Sequence, residues 1–291
     1  MAMTEKSFLG VSNGGFHRVA YTQWGDAHSK RVCVCVHGLT RNGRDYDAFA
    51  TEVQRQYRVV CPDIVGRGAS DRLADPMGYD FPQYVNDMTA LIARLGADQV
   101  DWVGTSMGGI IGMLMAALPN SPIRKLVLVD VGPYIPKEAL QRLAGYVGMD
   151  PRFPDRATAE AYFRAVAASF GPLTDAQWAH LVEYGTEPDG EGAFKLRYDP
   201  AIAAKLREGA EKGEDVDGWP LYDAIRCPVL LLRGESSDLL LRETADEMAR
   251  RGPKATVVEV ADTGHAPMLM DAPTIETVRA WLVGEDAGAG M

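Results

Sequence analysis

Basic charge is scarce here. The chain carries 30 Lys+Arg against 40 Asp+Glu, a formal net charge of −10. Nucleic acids and anionic membranes attract basic surfaces, so neither is an expected partner. Long apolar runs are also missing. A membrane-spanning helix needs roughly 18–20 apolar residues, and the longest smooth stretch, Gly108–Leu118, reads instead as a buried helix. The Met1–Ser7 segment has no apolar signal core, so the expected location is cytoplasmic. Cysteine is sparse: Cys33, Cys35, Cys61 and Cys227 lie in or beside apolar runs, without a C-x-x-C pair. They read as small buried hydrophobes in a reducing compartment. Histidines at ligand spacing are lacking, so no metal site and no cofactor are expected. The run Gly66-Arg67-Gly68-Ala69-Ser70-Asp71 lacks the third glycine of a dinucleotide fingerprint and opens no convincing helix. The small, polar segment from Gly284 to the C-terminus is expected to fray.

What is present is an ordinary globular composition, 46% hydrophobic and 24% charged in 291 residues, with no linker-like stretch. One large domain with an insertion fits it. Apolar strand patterns recur at Phe16–Gln23, Arg31–Val36, Tyr57–Cys61, Gln99–Gly104, Lys125–Asp130, Pro228–Arg233 and Ala255–Val260. The central ones are apolar at successive positions, as in Val32-Cys33-Val34-Cys35-Val36, which marks strands buried on both faces of a parallel sheet. Helix-period segments lie between them, near Asp45–Arg55, Gln83–Leu95, Ser106–Leu118, Arg242–Arg251 and Thr274–Val283. Alternation of this kind predicts a doubly wound α/β sheet, with Phe16–Gln23 antiparallel at one edge. The alternation breaks after Asp130. From Pro133 to about Trp219 the pattern predicts helices over Lys137–Val147, Ala157–Phe170, Asp175–Glu183 and Ala201–Glu208, with no strong strand. This stretch reads as a helical insertion over the strand ends.

The most informative segment is Val103-Gly104-Thr105-Ser106-Met107-Gly108-Gly109. A serine with glycine two residues to either side sits where a strand turns into a helix. Such a turn exposes the hydroxyl and aims a helix N-terminus at the reaction centre. A serine nucleophile needs a base, and histidine suits that task. Of the five histidines, His265 follows the last strand and falls on the same sheet edge as Ser106. His17 and His28 precede the core and are expected at the periphery. His180 lies in the insertion, and His37 is assigned to loop stabilisation. The base needs an acid partner. Asp238, after the Pro228–Arg233 strand, is ranked first; Asp130 and Glu235 are rivals, and Asp130 is read as a loop or cap hydrogen-bonder. The backbone N–H groups of Met107 and Leu39 are the expected oxyanion donors. Of the methionines near the site, Met107 and Met268 are candidates to line a pocket. Arg41, Arg44 and Asp45 read as a solvated ion-pair cluster, with substrate contact by the arginines left open.

The order Ser106…Asp238…His265, with His37-Gly38 upstream, resembles the α/β-hydrolase superfamily across Phe16–Leu282. The matching motifs are His37-Gly38 after the third strand, Pro62-Asp63 through Asp71 after the fourth, and Gly104-x-Ser106-x-Gly108-Gly109 after the fifth. Asp238 after the seventh strand and Gly264-His265 after the eighth complete them. The resemblance implies an α/β-hydrolase fold: a mostly parallel eight-stranded sheet flanked by helices. Residues 1–132 and 220–291 would form the core, and 133–219 a helical cap inserted after the sixth strand. It implies a serine hydrolase of carboxylic esters, acting on a small- or medium-acyl ester or a lactone. A serine excludes relatives that use an aspartate nucleophile, the haloalkane dehalogenases and epoxide hydrolases. C–C bond hydrolases of ring-cleavage products, enol-lactonases and haloperoxidase-like perhydrolases stay open as alternatives, as does a non-catalytic ligand-binding protein on the same scaffold.

Overall fold

The computed structural model describes residues 2–190 and 192–284. Most of the segment expected to fray, residues 285–291, lies outside the described residues. The chain begins with β1 (Thr4–Ser12), β2 (Gly15–Trp24), β3 (Val32–Val36), α1 (Asp47–Val53), β4 (Arg58–Pro62) and α2 (Phe81–Leu95). It continues through β5 (Val100–Thr105), α3 (Met107–Ala116) and β6 (Ile123–Val129). An excursion follows with β7 (Tyr134–Ile135), α4 (Lys137–Ala144), β8 (Arg152–Phe153), α5 (Arg156–Val166), α6 (Asp175–Gly185), β9 (Thr186–Pro188), β10 (Phe194–Leu196), α7 (Ala203–Lys212) and β11 (Val216–Asp217). The chain returns through α8 (Trp219–Ala224), β12 (Val229–Gly234), α9 (Arg242–Met248), β13 (Thr256–Val260) and α10 (Ala272–Val283).

The main sheet has eight strands in the order β1-β2-β4-β3-β5-β6-β12-β13. It is parallel from β4 to β13, while β2 runs antiparallel to β4 and β1 antiparallel to β2. This is the α/β-hydrolase fold. Successive side chains of a strand point to opposite faces, and the core divides accordingly. Val34, Trp102, Leu126 and Val229 lie side by side on one face, packed with Met88 and Leu91 of α2, Ile111 of α3 and Met248 of α9. Cys35, Val103, Val127 and Leu230 lie on the other, packed with Phe49 of α1 and Val278 of α10. Every residue of β3 and β12 is buried, which explains the unbroken apolar runs Val32–Val36 and Val229–Leu232. Cys33, Cys35 and Cys61 are small buried core residues; Cys227 is half-buried.

Strand β1 escapes the sequence pattern because most of its side chains are exposed. It pairs with β2 from Thr4↔Gln23 to Ser12↔Gly15, and so β1, not β2, forms the edge. The turn between them is Asn13-Gly14, a dipeptide suited to tight hairpins, and that was the available signal. The excursion is also less purely helical than expected. Its short strands form a β8-β10-β9 sheet and a β11-β7 pair. Two of its helices start at side-chain caps: Asp155 caps α5, and Thr174 and Gln177 form a reciprocal capping box at α6. The excursion is tied to the loop after β4, since Gly68 N donates to Arg197 O at 3.0 Å and Asp199 N to Gly66 O at 2.7 Å. Among the described residues, no helix is long and apolar enough to cross a membrane.

Candidate active site

Parallel register brings the carboxyl ends of β3, β5, β6 and β12 to one edge, with Val36 level with Gly104 and Gly104 level with Leu128. The residues just beyond those ends therefore meet. Ser106 turns from β5 into α3 with φ 51°, a left-handed conformation rare for a side-chain-bearing residue. Two glycines make that turn possible. A Cβ on Gly108 would lie 2.0 Å from Val36 O, and one on Gly104 would lie 2.3 Å from Gly108 O. The turn is held further by Ser106 N donating to Val129 O at 2.9 Å.

His265 Nε2 lies 3.0 Å from Ser106 Oγ, and His265 Nδ1 lies 2.7 Å from Asp130 Oδ2. A carboxylate only accepts, so Nδ1 carries the proton and Nε2 is free to accept from the serine. Asp130 is fully buried. Besides the histidine, its carboxylate accepts from Gly234 N at 2.7 Å and from Ser237 Oγ at 2.6 Å. Three donors hold the acid in one orientation.

The structure corrects the assignment of Asp238 as the acid. Asp238 points outward and pairs with Arg142 of α4, with its carboxylate accepting from Nε at 2.6 Å and Nη2 at 2.9 Å. Its side chain is 54% exposed. Adjacent residues of the loop face opposite ways: Ser237 turns inward to Asp130 and Asp238 outward. Glu235 is also turned elsewhere, accepting from Asp262 N at 3.1 Å. The signal for Asp130 was its place directly after the apolar run Leu126–Val129. Ser237, which sequence reasoning passed over, has no comparable signal, because its role exists only through contact with Asp130.

The loop after β3 packs onto Ser106: a Cβ on Gly38 would lie 3.8 Å from Ser106 Cβ. Leu39 and Met107 line the same cavity as Ser106 and His265. Met107 is the first residue of α3, so its amide has no preceding helical turn to donate to. His37 staples the loop: its Nε2 accepts from Ile64 N at 2.9 Å and its Nδ1 donates to Gly38 O at 2.7 Å. Burial lowers its pKa to about 3, so it stays neutral.

The remaining histidines lie away from Ser106. His17, expected at the periphery, is instead buried against Asp87, with Nε2 at 3.0 Å from the carboxylate. His28 is exposed, and His180 Nε2 donates to Arg44 O at 2.8 Å. Arg41 and Asp45 are paired as expected, at 2.9 and 2.7 Å, but the pair is buried in the cavity wall rather than solvated. Arg44 pairs with Asp47 and stacks 3.7 Å from the Tyr184 ring centroid.

The cavity above Ser106 has a volume of about 710 Å³. Its floor includes Met107 and Met268; its walls include Leu140, Tyr146 and Phe163 from the excursion. The excursion also touches the histidine loop, because Ser169 Oγ donates to His265 O and Gly264 N donates to Ser169 O. A serine hydroxyl, an acceptor nitrogen, a buried carboxylate and an apolar chamber can together perform nucleophilic acyl transfer. Among the described residues, no group of three His, Cys, Asp or Glu side chains is placed to hold a metal ion.

A model of the alpha/beta hydrolase family matches residues 33–280. The chain is 46% identical over 280 residues to the 3-hydroxybutyrate-oligomer hydrolase of Cupriavidus necator, an alignment covering 94% of this chain and 96% of that one. It is 29% identical over 230 residues to the 2-(acetamidomethylene)succinate hydrolase of Mesorhizobium japonicum, covering 79% of each. Among solved structures, an alpha/beta hydrolase from Novosphingobium aromaticivorans superposes with a TM-score of 0.86 at 36% identity, covering 97% of this chain and 99% of that one. With the sheet order and the serine turn, these likenesses place the chain in the alpha/beta hydrolase family, as an esterase-like hydrolase.

Proposed function

We propose that this protein hydrolyses carboxylic esters through a Ser106–His265–Asp130 triad, and that its substrates are short ester oligomers of 3-hydroxy acids. The observation that carries the chemistry is the continuous hydrogen-bonded path from Ser106 Oγ through His265 to Asp130 at the floor of an apolar cavity. In the first step, Ser106 Oγ bonds to the ester carbonyl carbon while His265 Nε2 takes its proton. The carbonyl oxygen becomes an oxyanion between the Leu39 and Met107 amides. The C–O bond to the leaving group breaks, and His265 returns the proton to that alcohol. Water then attacks the acyl-serine, with His265 as base, and releases the acid. Asp130 stays ionised and holds the imidazole throughout.

The substrate class rests on the near-complete alignment with the Cupriavidus necator enzyme. The cavity supports it. Arg142 of α4, paired with Asp238, and Lys205 and Lys212 of α7, both paired with Glu208, line the chamber, and the free carboxylate end of such an oligomer would exchange for one of these partners. In this reading residues 133–219 act as a cap that shapes the acyl and alcohol sites.

The test uses a fluorophosphonate probe and purified 3-hydroxybutyrate dimer and trimer. Ser106 should be labelled, and oligomer should give 3-hydroxybutyrate monomer by chromatography. Labelling of an intact Ser106→Ala protein would overturn the serine mechanism. Cleavage of a ring-cleavage dienoate, with the oligomers untouched, would overturn the ester reading.

A further inference from the structure

The loop after β4 holds a buried cation that the triad does not account for. Arg67 is 1% exposed. Its donors meet only uncharged groups. Nε donates to Leu39 O at 2.9 Å, and Nη1 to Val65 O at 2.8 Å and Tyr84 Oη at 3.0 Å. Nη2 lies 3.6 Å from Met107 Sδ. The guanidinium also sits 5.1 Å from the Tyr84 ring centroid and 5.7 Å from that of Tyr79. Among the described residues it has no carboxylate partner, in a chain with 40 Asp and Glu.

A buried charge without a counter-ion is costly, and even paired buried ions are often replaced by apolar residues with neutral or stabilising effect. Fold stability alone is therefore a poor reason for Arg67. Its two neighbours supply a better one. Leu39 and Met107 are the residues whose amides are assigned to the oxyanion, and the guanidinium bridges the carbonyl of one and the side chain of the other.

We propose that Arg67 is a positioning residue of the oxyanion pocket. Its fork fixes the Leu39 backbone and the Met107 side chain, and its uncompensated charge favours the negative charge that forms between the two amides. The inference rests on the serine-ester reading above. In a low-dielectric surrounding an unpaired charge acts over longer distances than in water. The carbonyl oxygen gains its charge only on the way to the tetrahedral state, so the effect falls on kcat and not on substrate binding.

The test compares full-length wild type, Arg67→Lys and Arg67→Met on p-nitrophenyl butyrate. Butylboronic acid serves as the anionic tetrahedral analogue, and thermal melting establishes that each variant is folded. Arg67→Met should lose about ten- to a hundredfold in kcat, with KM changed by less than about twofold. Its boronate affinity should fall in step with kcat/KM. Arg67→Lys keeps the charge without the fork and should lie between wild type and Arg67→Met in both measures. Wild-type kcat in folded Arg67→Met, a loss confined to KM, or no recovery with lysine would each overturn the proposal. If Arg67→Met does not fold, Arg67→Lys decides: kcat and boronate affinity must fall together, and unchanged values overturn it. Ser106→Ala separates the two readings. Activity retained there sinks the serine mechanism, whereas an inactive Ser106→Ala beside a normal Arg67→Met sinks only the role of Arg67.

Discussion

Asp130 Oδ2 and His265 Nδ1 lie 2.7 Å apart although 135 residues separate them in the chain. The contact joins the end of β6 to the loop after β13, two strands that do not touch. Between them lies β12, whose last residue supplies Gly234 N, and the loop after it supplies Ser237 Oγ, to the same carboxylate. The Asp130 carboxylate is thus held by the strand it reaches across and by the loop that follows it.

This arrangement separates two aspartates by their kinetics. Asp130→Asn should lower kcat by about 10³–10⁴-fold, because the amide can stabilise the wrong imidazole tautomer and carries no charge. Asp238→Asn should change kcat by less than about threefold, since it breaks an exposed ion pair worth about 0–1 kcal/mol. Steady-state kinetics on p-nitrophenyl butyrate check both. Equal losses in the two variants would contradict the geometry.

Ser237 predicts a smaller effect of the same kind. Its hydroxyl donates to Asp130 Oδ2 at 2.6 Å and accepts from Leu240 N at 3.1 Å. Ser237→Ala removes a hydrogen bond to a buried charge, worth about 1.5–3 kcal/mol. The expected result is a lower melting temperature and a kcat loss of about tenfold, with KM unchanged. A melting temperature equal to wild type would show that water or another donor replaces the hydroxyl.

Gly108, beside Ser106, and Gly209 of α7 predict a stability difference that does not depend on catalysis. Gly108→Ala places a methyl 2.0 Å from Val36 O, where only backbone can yield. Urea unfolding should show a loss of more than about 3 kcal/mol, or no soluble protein at all. Gly209→Ala meets nothing within 4 Å and lies in α7, so it should be neutral or slightly stabilising. Comparable midpoints for the two variants would refute the close approach of α3 to β3.

His37 predicts a pH dependence of stability. Its native pKa is lowered to about 3 from the ordinary 6.5, chiefly by burial. Below about 6.5 the unfolded chain binds a proton that the native protein refuses until about pH 3. Stability from this group is therefore fully present above 6.5 and is lost as pH falls through the window, with a slope of up to about 1.4 kcal/mol per pH unit. His37→Asn should be less stable at pH 7, where a staple is lost, yet lose less on acidification to pH 4.5. Parallel stability curves from pH 7 to 4.5 would contradict a neutral, buried His37.

The glycine–serine turn was legible because sterics at Gly104 and Gly108 act within a few residues, and His265 because a loop after the last parallel strand has one place to go. The order of apolar strands and amphipathic helices likewise made the doubly wound sheet readable, since burial on two faces requires unbroken apolar sequence. Strand β1 stayed hidden because its side chains are exposed, and the short strands of the excursion because two or three residues carry no periodicity.

The choice between Asp130 and Asp238 belonged to the tertiary structure. Both follow strands that end on the same edge, so position along the chain admits either, with Asp238 ranked first from sequence. Only the direction of each side chain separates them, and that depends on Ser237 facing Asp130 while its neighbour faces Arg142. The same holds for Arg67. Sequence showed a loop glycine pair around an arginine; packing placed the arginine beneath Leu39 and Met107. By itself the sequence determined which strands are buried and where the Ser106 turn lies, because those follow from local sterics and periodicity. Which carboxylate meets His265, and which cation lies under Leu39 and Met107, required the long-range contacts that only folding creates.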